Sequence, residues 1–104
     1  MATVKATFLL PVRDNDGREL ISEIEETRSQ LYMAFRAYTN EGFVHGSYEM
    51  PDGSEAADIH QKFTLLLDES RLHELEELIK GFKVKTIQET MYLEIQHGVE
   101  LRLI

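Results

Sequence analysis

Two runs of period-two alternation, joined by Met50-Pro51-Asp52-Gly53-Ser54, dominate the pattern of apolar and polar positions along the chain. After the join, Ala57, Ile59, Phe63, Leu65 and Leu67 share one face, and Asp58, His60, Lys62 and Thr64 the other. Such alternation marks a half-buried strand. Before the join, Val44, Tyr48 and Met50 alternate with Phe43, His45, Ser47 and Glu49. The join itself reads as a turn, because Pro51 pre-sets the first corner, Asp52 can bond back to the chain and Gly53 admits a positive φ. The two runs therefore predict a β-hairpin.

The flanking segments supply two more strands and two helices. Over Thr3–Val12, Val4, Ala6, Phe8, Leu10 and Val12 alternate with Lys5, Thr7 and Leu9. Apolarity on both sides predicts a central strand, and Pro11, with no N–H to donate, marks its end. The polar loop Arg13–Gly17 carries Asp14-Asn15-Asp16-Gly17. A calcium loop with Gly17 at its sixth position would need a ligand at Val12, so Asp16 is read instead as a helix N-cap with Glu19 three residues on. From Arg18 to about Tyr38, Leu20, Ile24, Leu31, Phe35 and Tyr38 recur at helical spacing with Thr27 in the gap, and Gly42 is the expected stop. Ser70 then caps a second helix striped by Leu72, Leu75, Leu78, Ile79 and Phe82. Lys80, Lys83 and Lys85 gather at its C-terminal end, where they complement the helix dipole or form a small anion-binding patch. Thr90–Gln96 is the last regular strand. After His97-Gly98, Val99, Leu101 and Leu103 resume the alternation, so the tail either folds back as a short fifth strand or extends to another subunit.

The order β-α-β-β-α-β predicts an α+β fold, the ferredoxin-like sandwich, with two helices on one face of a four-stranded antiparallel sheet. Residues 1–104 suit one domain, since a chain of this size buries enough surface for one core. The absence of cysteine excludes disulfides and thiolate sites. A formal net charge of −8 opposes the phosphate backbone, so nucleic acid is not an expected partner. No apolar run approaches the ~20 residues of a membrane span, and no secretory signal is visible, so the expected location is cytoplasmic.

The strand ending Leu10-Pro11-Val12-Arg13-Asp14-Asn15-Asp16-Gly17, the Pro51-Asp52-Gly53 turn, and Lys85-Thr86-Ile87-Gln88-Glu89 before Met91-Tyr92-Leu93-Glu94 carry a resemblance over nearly the whole chain. They resemble a family of small uncharacterised bacterial proteins with a ferredoxin-like fold. The resemblance implies fold and origin and brings no activity with it.

A sheet with helices on one face leaves the other open, to be solvated, to bind something or to pack on a second copy. The expected open-face residues include Lys5, Thr7 and Leu9; His60, Lys62, Thr64 and Leu66; and Tyr92, Glu94 and Gln96. If paired hairpin residues sum to 105, His45 and His60 sit opposite each other near Asp58 and Ser47, an arrangement suited to a metal or to proton transfer. A three-residue Pro-Asp-Gly loop would give 104 and turn His45 inward. The first is favoured because it buries Val44, Tyr48 and Met50. His45, His60, Lys62 and Tyr92 are thus the candidate ligand-binding residues, with no metal or cofactor expected. No nucleophile constellation or phosphate-binding glycine loop is present. The expected function is a non-catalytic binding module, homodimeric through its open face or C-terminal strand. The alternative is a small cofactor-free enzyme using His60 as general base, with Tyr92 and Lys62 orienting substrate.

Overall fold

The computed structural model describes residues 2–104. Its strands, β1 (Thr3–Pro11), β2 (Thr39–Glu49), β3 (Glu55–Asp68) and β4 (Tyr92–Gln96), form one antiparallel sheet in the order β2-β3-β1-β4. Helices α1 (Ile21–Phe35) and α2 (Leu72–Lys85) complete an α+β fold. The central strands bury one side: Val4, Ala6, Phe8 and Leu10 of β1, with Phe63, Leu65 and Leu67 of β3. Ile24 and Leu31 of α1 and Leu75, Ile79 and Phe82 of α2 join them in one core. Each large apolar side chain so buried contributes about 1.5–3 kcal/mol. The ring of Phe63 anchors the centre, stacked on Phe8 at 5.4 Å and met edge-on by Tyr38 at 5.8 Å. Arg71 fastens the two helices: Nη2 donates to the Ala34 carbonyl at 2.9 Å, its fork grips Glu74, and its guanidinium lies 4.3 Å over the Phe35 ring.

The ends of the elements differ from the sequence expectation for identifiable local reasons. α1 begins at Ile21, not Arg18, because Asp14 rather than Asp16 organises the loop before it. Asp14 Oδ1 accepts from the backbone N–H of Asp16 (3.0 Å) and of Arg18 (2.8 Å), and Arg18 bridges Asp14 and Glu23. α1 ends at Phe35, with Arg36 in the left-handed region at φ 63°. Gly42 is not a helix stop. At φ 80° it lies within β2, where Glu41 and Gly42 together face Lys62 as a β-bulge. Ser70 does not cap through its side chain; Asp68 accepts from its N–H at 2.9 Å and opens a short 3₁₀ turn. At the end of α2, Gln88 N–H donates to Lys83 O (3.0 Å) and Ile87 N–H to Val84 O (3.3 Å). This is the Schellman pattern, with Ile87 at φ 56° where glycine is usual.

The hairpin register overturns the favoured expectation. Gly53 N–H donates to Met50 O (2.9 Å) and Met50 N–H to Ser54 O (2.8 Å), enclosing a three-residue loop with Gly53 at φ 87°. Paired residues therefore sum to 104: Val44 faces His60, and His45 faces Ile59. Val44 and Tyr48 lie on the bare side of the sheet, not toward the core. The hydrophobic pattern lost because β1 stops pairing at Pro11↔His60, and no residue between Phe43 and Ile59 is buried. With no residue of this projecting arm buried, burial sets no register and the turn decides it. The tail, residues 97–104, adds no fifth strand. Among the described residues, no backbone hydrogen bond joins it to the sheet.

Candidate functional site

Alternation away from the core places Lys5, Thr7, Leu9 and Pro11 of β1 on the helix-free face, beside Leu66, Thr64, Lys62 and His60 of β3. On the other side β4 continues the rows, with Tyr92 next to Leu9 and Glu94 next to Thr7. Two concavities flank the middle of this face. The first, of about 560 Å³, lies where β1 begins, and the tail enters it: Val99 and Leu101 line it with Lys5, Thr39, Thr64 and Leu66.

The second concavity, of about 520 Å³, lies where β1 ends. Leu9 and Pro11 line it from β1, Tyr48, Asp58 and His60 from the hairpin arm, and Gln88, Glu89, Thr90 and Tyr92 from the α2–β4 link and β4. Arg13 and Asn15 complete the lining from the loop held by Asp14. Arg13 stands 3.7 Å from Glu19 with both side chains exposed, so that pair restrains it little.

Of the four residues expected from sequence, the fold brings His60 and Tyr92 into this concavity and leaves the other two out. His45 and His60 are not neighbours, because the 104 register puts them on opposite faces of the arm. The metal or proton-transfer pair imagined for them therefore has no geometric basis. Among the described residues no group of three His, Cys, Asp or Glu side chains is placed to hold a metal. Lys62 is in the same row as Tyr92 with Leu9 between them, and its Nζ lies 3.8 Å from Glu41 of the bulge. The Tyr92 hydroxyl donates to Glu94 at 3.1 Å, and that bond raises its pKa. At neutral pH it is a neutral phenol whose proton is already engaged. Among the described residues, no hydrogen bond or ion pair orients His60. The lining offers an imidazole, two phenols and a guanidinium for stacking and hydrogen bonding.

Sequence reasoning missed Tyr48, Arg13, Asn15 and the 88–90 segment as partners of His60. Tyr48 was legible only through the three-residue loop register, and the others come from loops whose course no periodicity reports. No helix among the described residues is long and apolar enough to cross a membrane. No protein-family model matches this chain, and comparison with curated proteins found no significant relative.

Proposed function

We propose that this chain is a non-catalytic interaction module that pairs with a second copy through its open sheet face and C-terminal segment. We read it as a ferredoxin-like sandwich of bacterial origin working in the cytoplasm, with the concavity around His60 and Tyr92 available to a small molecule. The sheet order, with β1 and β3 central and both helices sharing one core, supports the fold reading. The observation that carries the function is the tail. Val99, Leu101 and Leu103 alternate like a strand, Leu101 and Leu103 are 53% and 91% exposed, and the backbone beside them is unpaired within the described residues. An apolar extended segment with free N–H and C=O groups gains by adding to another chain, and a two-fold axis makes the exchange reciprocal. Sedimentation equilibrium of the full chain should return a dimer, and a chain ending at Gly98 should stay folded and lose that association. A full chain that remains monomeric at high concentration would overturn the reading.

The enzyme reading draws support from His60 and Tyr92 sharing one concavity. The pairing of Lys62 with Glu41 and of Tyr92 with Glu94 weighs against it, since both orienting groups are engaged elsewhere.

A further inference from the structure

The projecting arm is acidic, and the end of α2 leaves one lysine of three unpaired among the described residues, beside exposed apolar groups. From Phe43 to Ile59 the arm holds Glu49, Asp52, Glu55 and Asp58 and no lysine or arginine. Glu49 and Glu55 face each other directly across the hairpin. Like charges so placed destabilise a strand pair, and among the described residues no cation of the chain bridges either one. The same side of the arm shows Phe43 and Ile59, 63% and 46% exposed. Beyond the loop that reaches Ala57–Ile59 the arm is two strands alone, a unit marginally stable in water.

The end of α2 is the complement. Lys80 is paired with Glu77 (3.2 Å) and Lys85 with Glu26 (3.1 Å), whereas Lys83 makes no ion pair among the described residues. Lys80, Lys83 and Glu76 rim a groove of about 210 Å³ floored by Ile79, Met91 and Leu93. Val84 and Ile87 stand beside it, 77% and 86% exposed. The antiparallel topology sends the arm and this shoulder out at the same end of the sheet, the arm from the β2–β3 side and the shoulder from the β4 side.

We propose that the arm of one copy docks on the α2 shoulder of a second copy, Glu49 and Glu55 meeting Lys83 while Phe43 and Ile59 cover Val84 and Ile87. A two-fold axis perpendicular to the sheet at that end makes two identical contacts and closes the pair. This contact uses surfaces other than the tail and the open face, and it goes beyond the reading given above.

Charge exchange in the full chain tests it by sedimentation velocity. Lys83→Glu and the double variant Glu49→Lys/Glu55→Lys should each weaken self-association on the order of 100-fold, about tenfold at each of the two equivalent contacts. Mixing the two variants should restore it, because every contact in the mixed pair again joins unlike charges; a folding defect would not be repaired by mixing. Variants that alone associate like the original chain, or a mixture that stays dissociated, would overturn the proposal. If Leu101→Asp/Leu103→Asp abolishes association that charge exchange leaves untouched, the tail reading stands and the arm contact falls. Association sensitive to charge exchange and indifferent to the tail would decide the other way.

Discussion

Ile87 offers the sharpest test of how this fold balances strain against surface. A non-glycine residue in the left-handed region costs about 1–2 kcal/mol, and branching at Cβ puts isoleucine toward the upper end. At 86% exposed its side chain recovers almost nothing by burial. Ile87→Gly removes the strain and keeps both capping bonds, from Ile87 N–H to Val84 O and from Gln88 N–H to Lys83 O. Against this stands the greater freedom of glycine in the unfolded chain, roughly 0.5–1 kcal/mol. The net expectation is a stabilisation of about 1 kcal/mol. With a urea m-value of roughly 2 kcal/mol per molar, the midpoint should rise by about half a molar. Urea unfolding followed by circular dichroism, at two protein concentrations to separate folding from association, measures it. An unchanged or lower midpoint would refute the strain argument. A gain in stability joined to weaker self-association would tie the strained residue to the surface it forms.

Three further outcomes follow from the core, the helix clamp and the carboxylates. Phe63→Ala removes a fully buried ring stacked on Phe8 and should cost about 3–5 kcal/mol, leaving a chain unfolded or nearly so by circular dichroism; a loss under 1 kcal/mol would contradict the packing described. Arg71→Lys loses the fork on Glu74 and the stack over Phe35, for a destabilisation of roughly 1–2 kcal/mol in urea unfolding that a lysine-tolerant clamp would not show. The carboxyl of Asp14 is held below its usual 3.8 chiefly by the Arg18 N–H, and those of Asp52 and Asp68 chiefly by Ser54 and Ser70. Depressed folded-state values stabilise above the unfolded value and lose that contribution as pH falls through the folded one, so the urea midpoint should hold from about pH 7 to 5 and drop below about 4. A midpoint that rises on acidification would reverse the sign.

Where the core reaches, sequence reading succeeded. Phe8, Phe63 and Leu65 announce their faces because helices press on that side of the sheet, and any slip would expose them. The same logic failed at Val44, Tyr48 and Met50, whose alternation is equally clear but has no covered face to answer to. There Pro51 and Gly53 set the pairing, and they were legible as the alternative rather than the preference. Asp16 and Ser70 had the right chemistry for caps, but Asp14 and Asp68, each two residues earlier, took the bonds. The His60 concavity was half legible. Tyr92 and His60 follow from strand alternation, while Arg13, Asn15 and Glu89 depend on loop paths that only the folded chain defines.

The surplus residue in β2 reconciles two incompatible instructions given to a single strand. Below it, Tyr38 must stay against Phe63; above it, the turn insists on its own pairing, and the two phases differ by one. Excising Glu41 would satisfy both at once and leave every core contact intact, while straightening the kink that aims the hairpin. Compass-like, one position thus steers the free end of a molecule 47 Å long without bearing any of its weight. Small-angle scattering of that deletion should register a changed maximum dimension at unchanged stability, and an unaltered profile would show that the arm takes its heading from elsewhere.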